Sequence, residues 1–240
     1  MELRFSLDIY NTAEVFGAYG LLELASWQDG DAISHFESEG QTGATSEFVV
    51  QSKQGITLDA KSLPIAAVDF RDPLIAPVII GGKIQLSWWL DVFEQGKNGL
   101  KMWAGDSCPL LMLQKYQPLM LDTLGSDCLQ HGVKTKSCKS SFGFDLRASR
   151  DALKAGYSEK DAGEASVIYP ETEFLCALGL QNFRPAADST YYVWRRPVPA
   201  NIAHGACSME VPGLRQVGFH MAEFEMVSQS QKQLATVAAV

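Results

Sequence analysis

The sequence lacks long apolar runs and has an odd number of cysteines, five in 240 residues. No two of them have C-x-x-C spacing, whereas a secreted disulfide framework is usually even in number and denser. We therefore expect reduced thiols in a cytoplasmic chain. No stretch reaches the ~18 consecutive apolar residues of a membrane helix, and residues 1–8 lack the features of a signal peptide. The sequence thus predicts a soluble protein without a membrane partner.

Motifs for metal, nucleotide and nucleophilic chemistry are also missing. The four histidines have no neighbour at metal-ligand spacing, and the Gly-Lys pairs at 82–83 and 96–97 lack a Walker loop. Ser107 lies in a Gly-Asp-Ser sequence, as in GDS-type serine hydrolases, but the late Asp-x-x-His that supplies the base in that class is absent. We expect Asp106 or Ser107 to cap a helix instead. The sequence predicts a protein that is not an enzyme and has no cofactor, with a serine hydrolase or a metal-free ribonuclease as the alternative.

The first helix has a clear start signal. Asn11 and Glu14 have the spacing of a capping box, which predicts a helix over residues 11–26. Gly17 and Gly20 lie inside this helix, where each costs about 1 kcal/mol relative to alanine. We expect them to allow the close approach of another backbone.

Strand patterns surround this helix. Alternating apolar residues predict strands at 2–9, 33–37 and 47–52. The order strand, helix, strand, strand is the first half of a ferredoxin-like unit. We expect an α+β fold with a ferredoxin-like (RRM- or RAMP-like) start, an inserted hairpin and loops, and a mainly antiparallel sheet.

The rest of the chain is expected to form one domain over residues 1–227 with a frayed tail at 228–240. Two prolines predict an irregular segment at 54–75, and the Asn-Gly at 98–99 predicts a hairpin between strands at 83–93 and 100–104. The further predicted elements are helical residues 108–124 interrupted at Pro118, a strand at 141–145, a helix at 171–183, and strands at 191–196 and 216–227.

Charge is unevenly distributed along the chain, whose net charge is −8. Residues 1–80 contain four basic and twelve acidic residues, whereas residues 81–240 contain sixteen of each. Within 131–154, six basic residues face two acidic ones. This pattern suits a protein with one phosphate-facing side, or one whose acidic part docks on a basic partner; a solvated lysine-rich loop is the simpler alternative.

Basic residues interleaved with aromatic residues are the remaining functional signal. Lysine and arginine neutralise phosphates, and flat side chains can stack on unpaired bases. Alternatively the aromatic residues belong to the core, which is our expectation for Phe142 and Phe144. The candidate nucleic-acid-binding residues are Lys97, Lys101, Lys136, Lys139, Arg147, Arg150, Lys154, Arg184, Arg195 and Arg196.

Several longer motifs follow one another along most of the chain. They are Asn-Thr-Ala-Glu-Val-Phe-Gly-Ala-Tyr-Gly-Leu-Leu-Glu-Leu-Ala at 11–25, Leu-Ser-Trp-Trp-Leu-Asp at 86–91, Leu-Lys-Met-Trp-Ala-Gly at 100–105, Phe-Gly-Phe-Asp-Leu-Arg at 142–147, Ala-Gly-Tyr-Ser at 155–158, and the segment from Tyr-Pro at 169–170 through Leu-Gly-Leu-Gln-Asn-Phe-Arg-Pro at 178–185. In order and spacing they resemble the small accessory subunits of type I-U (also called I-G) CRISPR effector complexes.

This resemblance implies a non-catalytic subunit of a Cascade-like ribonucleoprotein in antiviral defence. Such complexes hold a guide RNA, and a separate subunit inspects the motif beside the DNA target. The implied partners are other Cascade protein subunits, guide RNA and target DNA, and we favour the DNA-inspecting position. The alternatives are a guide-RNA backbone subunit of the same complex and a protein-only scaffold whose acidic N-terminal third is the interface.

Overall fold

The computed structural model describes residues 1–38, 45–91, 107–135, 142–145, 147, 166–187, 189–228 and 231–239. The helices within these ranges are α1 (Thr12–Gln28), α2 (Pro109–Tyr116), α3 (Pro170–Asn182) and α4 (Ala200–Ser208). None of these described helices combines the length and apolar content that a membrane crossing requires. The strands are β1 (Glu2–Asp8), β2 (Ile33–Ser38), β3 (Thr45–Gln51), β4 (Ile65–Ala67), β5 (Val78–Ile80), β6 (Ile84–Leu86), β7 (Val133–Thr135), β8 (Ser166–Ile168), β9 (Thr190–Val193), β10 (Val198–Pro199), β11 (Val217–Ser228) and β12 (Gln231–Ala239).

The described strand pairs are all antiparallel, so the α+β prediction with antiparallel sheets is confirmed. The largest sheet has the order β1-β3-β2-β10. Phe5 pairs with Phe48, and Phe48 pairs with Phe36, so the three rings form a row across this sheet. All three are at most 1% exposed and belong to the core that contains α1.

Helix α1 begins where the capping motif predicts. The Asn11 side chain accepts a hydrogen bond from Ala13 N at 3.1 Å and donates one to Glu14 Oε1 at 2.8 Å. Glu14 Oε2 accepts from Asp8 N at 2.8 Å instead of returning to the backbone of Asn11. Side chains therefore satisfy one backbone donor in the first turn, Ala13 N, and one before the helix, Asp8 N.

Glycines allow α1 and α3 to pack with their backbones in contact. A Cβ built on Gly20 would lie 2.1 Å from Leu175 O, and one on Gly179 would lie 2.2 Å from Phe16 O. The predicted use of Gly20 is therefore confirmed. Gly17 has a different neighbour, since its added Cβ would meet the Leu129 side chain at 2.9 Å.

The predicted strand at 83–93 is wrong at residues 87–91, the described part beyond Leu86. Residues Trp88–Leu90 form a 3₁₀ turn, because Gln181 Oε1 accepts hydrogen bonds from Ser87 N at 2.8 Å and from Trp88 N at 3.1 Å. The Trp88 indole donates to Ala177 O at 3.0 Å and is buried against α3. The predicted hairpin turn at 98–99 and its return strand lie outside the described residues.

The predicted strand at 141–145 is also wrong for its described residues, 142–145, which have no strand pairing. The Glu173 side chain, and not a neighbouring strand, satisfies this backbone: its two carboxylate oxygens accept hydrogen bonds from Gly143 N and Asp145 N at 3.0 Å each. Phe142 and Phe144 are each 1% exposed, which confirms their expected place in the core.

Three further predictions concern element boundaries, and one of them agrees with the structure. The N-cap of α2 is Cys108, whose side chain makes no capping bond, so the Ser107 cap is wrong, and Asp106 lies outside the described residues. Pro118 does end the helix, and residues Gln117–Leu119 form a 3₁₀ turn. The C-terminal segment predicted to fray contains β12, which pairs with β11 in the sheet β12-β11-β9.

The burial of the described cysteines predicts that their thiols react slowly with alkylating reagents. Cys108, Cys128, Cys176 and Cys207 are free and buried, and burial raises the pKa of Cys128 and Cys207 to about 12. Because the thiolate is the reactive form, these thiols should resist alkylation in the folded protein. We expect a thiol reagent to label no more than one cysteine per native chain and all five in urea. Rapid native labelling of two or more would contradict this burial.

Candidate nucleic-acid interface

The structure describes four of the ten predicted nucleic-acid-binding residues: Arg147, Arg184, Arg195 and Arg196. The other six lie outside the described residues; they are Lys97, Lys101, Lys136, Lys139, Arg150 and Lys154. The four arginines do not share one environment. Arg147 and Arg184 bind carboxylates, whereas Arg195 and Arg196 lie at the end of a sheet.

Arg147 is engaged by groups inside the protein. Its Nη1 lies 2.8 Å from Glu14 Oε1 and donates to Gln130 Oε1 at 2.7 Å. Its Nη2 donates to Asp145 Oδ2 at 2.6 Å, and its Nε donates to Asp145 Oδ1 at 3.0 Å. The guanidinium also lies 3.9 Å from the centroid of the Tyr169 ring. A phosphate contact by Arg147 would require these internal bonds to break.

Buried carboxylates surround the starts of α1 and α3, where the helix dipoles favour negative charge. They are Glu14, Asp145, Glu171 and Glu173, each at most 2% exposed. Glu171 accepts from His131 Nδ1 at 2.9 Å and from Leu121 N at 2.7 Å. Burial raises the pKa of Glu14, and the Arg147 charge opposes that rise. The cluster ties residues 142–145 and Arg147 to both helices, which is a structural role.

Arg184 is bound on one side only. Its Nη2 donates to Asp91 Oδ2 at 2.6 Å, and its side chain is 24% exposed. Its Nη1 is buried and has no hydrogen-bond partner among the described residues. Burial lowers the pKa of Arg184, while the Asp91 carboxylate opposes the decrease. A phosphate contact at this position stays a prediction.

The neighbouring aromatic residues are mostly unable to stack on bases. Phe183 and Trp194 are each 0% exposed, and both stack on Tyr19, at centroid distances of 4.5 and 5.4 Å. Trp194 also donates from its indole to Ser34 O at 2.8 Å. These rings belong to the core, as the alternative interpretation of the sequence proposed. Tyr192 differs, because it is partly exposed.

Arg195 and Arg196 lie directly after β9, at the end of its pairing with β11. Arg195 N donates to Leu214 O at 3.1 Å, so the two chain segments stay side by side beyond the last strand pair. Arg215, next to Leu214, joins the two predicted arginines there. Its φ of 52° is a left-handed conformation that is uncommon for a residue with a Cβ. We call Arg195, Arg196 and Arg215 the arginine group.

The arginine group has no carboxylate partner among the described residues. The ion pairs of described lysines and arginines involve Arg4, Lys53, Lys61, Arg147 and Arg184. Arg195 Nη1 is buried without an acceptor, and burial lowers the pKa of Arg195 without an opposing ion pair. Arg196 and Arg215 are exposed. Three cations without counter-charges at one sheet end favour a bound anion.

Sequence reasoning missed Arg215. It is an isolated arginine, so the search for basic clusters passed over it. The signal that could have found it is the order of the predicted strands. If the strand at 191–196 pairs antiparallel with the strand at 216–227, Arg215 lies beside the end that carries Arg195 and Arg196.

The described residues do not form a catalytic arrangement that would support the serine hydrolase alternative. Ser107 forms no hydrogen bond with a histidine there; the described rings of His35, His131 and His204 bond to Glu37, Glu171 and Glu23. No group of three or more His, Cys, Asp or Glu side chains suited to a metal ion occurs in the described part of the chain. Comparisons with protein-family models, with curated proteins and with solved structures gave no match.

Proposed function

We propose that this chain is a non-catalytic, nucleic-acid-binding subunit of a Cascade-like CRISPR ribonucleoprotein, acting in the cytoplasm in antiviral defence. In this proposal the arginine group contacts phosphates of guide RNA or target DNA. The observation that carries it is the lack of any carboxylate partner for these three cations among the described residues. The sequence motifs that resemble type I-U accessory subunits supply the assembly and its partners, the other Cascade subunits.

The exposed face of the first sheet supports a protein partner there and not a nucleic acid. Arg4 bonds to Glu2, Glu37 and Glu47 on this face, at 2.8 to 2.9 Å. Three carboxylates around one guanidinium leave a local negative charge, which repels phosphates. We infer that this face docks on a basic subunit while the arginine group reaches the nucleic acid.

The first strands support a ferredoxin-like unit as the finer fold proposal. Strand β3 lies between β1 and β2 and is antiparallel to both, and α1 connects β1 to β2. This is the split β-α-β arrangement of that unit. Strand β10 extends the sheet beside β2.

Replacing Arg195, Arg196 and Arg215 together with alanine should weaken binding to single-stranded RNA and flatten its salt dependence. For single strands, log affinity changes with log salt by about −0.7 per phosphate contact, so losing three contacts should reduce the slope by about 2. Fluorescence anisotropy with a labelled RNA of about 20 nucleotides, the length of a guide segment, measures both quantities.

The matched control replaces Arg4, Lys61 and Arg71 with alanine and removes the same positive charge from other surface sites. We expect its salt slope to equal that of the unmodified protein. Equal slopes in all three proteins would contradict the assignment of the arginine group as the interface. Equal losses in both triple variants would assign the effect to net charge.

A further inference from the structure

A cleft of about 1300 Å³ opens on another part of the surface. The C-terminal ends of α1 and α3, the α4 helix and the segment 83–85 contribute to its walls. Small-molecule sites usually have volumes of about 300–1000 Å³, so this cleft can accept a nucleotide or the end of a nucleic-acid strand. It contains none of the arginine group.

The acidic residues that line the cleft each have a partner. Glu23 accepts from Asn182 Nδ2 at 3.0 Å and bonds to His204 Nε2 at 2.5 Å. Asp31 pairs with Lys53 Nζ at 2.9 Å. Glu2, the third acidic residue in the lining, bonds to Arg4 and Gln51. Each carboxylate in the lining therefore has a hydrogen-bond partner, but only Asp31 has a lysine of its own, since Glu2 shares Arg4 with Glu37 and Glu47.

Several hydrogen-bond donors in the cleft have no acceptor. Lys83 Nζ lies 5.5 Å from the centroid of the Trp27 ring, and no carboxylate among the described residues pairs with it. Trp27 Nε1 and Ser26 Oγ are buried without a hydrogen-bond partner in the described chain. Buried donors without acceptors are uncommon and unfavourable. The unmet requirement in this cleft is thus for an anion with several acceptor oxygens.

We propose that the cleft binds a terminal phosphate monoester, with Lys83 as its cationic contact. A phosphate monoester offers several acceptor oxygens and close to two negative charges at neutral pH. Lysine binds phosphate as a point charge, and the Trp27 face holds the Lys83 ammonium at the cleft. The same chemistry occurs on a free nucleotide and on the 5′ end of a strand.

Isothermal titration calorimetry with inorganic phosphate and adenosine monophosphate tests the site directly. We expect saturable binding that Lys83→Gln weakens at least tenfold. Lys83 is exposed, so this substitution leaves the core intact. Lys61→Gln is the matched control, because Lys61 pairs with Asp122 and does not line the cleft; its affinity should be unchanged. Absence of saturable binding, or equal affinity in Lys83→Gln, would overturn the proposal.

Two further probes separate the possible sources of the phosphate. A short oligonucleotide with a 5′ phosphate should bind more tightly than its 5′-hydroxyl form if the cleft holds a strand end, and Lys83→Gln should abolish that difference. Equal affinity for the two forms, together with Lys83-dependent binding of adenosine monophosphate, assigns the cleft to a free nucleotide.

The arginine-group variant keeps this proposal separate from the proposed function. It should bind adenosine monophosphate normally and lose affinity for a 5′-hydroxyl RNA. If instead it keeps full RNA affinity while Lys83→Gln loses adenosine monophosphate, the proposed interface is wrong and the cleft assignment holds.

Discussion

Gly20→Ala should destabilise the protein by more than about 3 kcal/mol. A Cβ at this position would lie 2.1 Å from Leu175 O and 2.8 Å from its carbonyl carbon, and these backbone atoms cannot rotate away as a side chain can. Helices α1 and α3 would have to separate, and both are buried over most of their length. Overpacking a core typically costs about 1–3 kcal/mol, and a backbone clash lies at or above the upper end of that range. Urea unfolding followed by circular dichroism measures the loss.

Gly205→Ala provides the matched control. Gly205 lies inside α4, and a Cβ added there meets nothing within 4 Å. Alanine should stabilise this helix by about 0.5–1 kcal/mol, because glycine loses more backbone freedom on folding. The same chemical change therefore has opposite signs at the two sites. A Gly20→Ala protein as stable as the unmodified chain would show that α1 and α3 are further apart in solution.

Arg147→Met should cost about 3–5 kcal/mol, the usual consequence of removing one partner of a buried ion pair. Methionine fills much of the same volume but leaves Glu14 and Asp145 without their cation, and both carboxylates are at most 2% exposed. The segment at 142–145 would also lose one of its ties to the start of α1, keeping the bond from Asn11 Nδ2 to Asp145 Oδ1 at 3.4 Å. The free energy of unfolding in urea at neutral pH is the measurement.

Arg4→Met tests whether burial determines this cost. Arg4 also bonds to several carboxylates, but its side chain is 41% exposed and its partners are 41–45% exposed. Water screens such contacts, so we expect a much smaller loss than for Arg147→Met. Similar losses in the two variants would show that the interior cluster is solvated.

The loss of unfolding free energy in Arg147→Met should become smaller as pH falls. Burial raises the pKa of Glu14 above its usual value of 4.5, and Arg147 opposes that rise, so the variant has a still higher Glu14 pKa. A raised carboxyl pKa favours the folded state at low pH and disfavours it as pH rises through that pKa. The difference in unfolding free energy between variant and unmodified protein should therefore narrow as pH falls from neutral towards 4.5, the usual pKa of this side chain. A gap independent of pH would exclude Glu14 as its source.

Local signals in the sequence predicted the elements that local chemistry decides. The Asn11–Glu14 motif fixed the start of α1, and Pro170 fixed the start of α3. Alternation located β1, β2 and β3 within two residues at each end. Gly20 was correctly interpreted as a close contact because an interior helical glycine has a cost that packing must offset.

The errors arise where distant residues override local preference. Trp88 and Trp89 suit a strand, but Gln181, 94 positions from Ser87, binds the backbone and turns it. The role of Arg147 as a phosphate ligand stays a prediction, but its pairing with Glu14 could not be predicted, since only the fold brings the two together. Arg215 was missed because the two arginines near it in space, Arg195 and Arg196, follow a different strand and lie about twenty positions away in the sequence.

The contact between Gly20 and Leu175 also has a consequence for synthesis of the chain. These residues are 155 positions apart, so at about 5–20 residues per second a ribosome needs roughly 8–30 seconds to make α3 after α1 has been made. Throughout that interval the side of α1 that packs against α3 has no partner, although the other side can already pack on β1, β2 and β3. The nascent chain should therefore depend on chaperone binding near its first helix until residue 182 has left the exit tunnel.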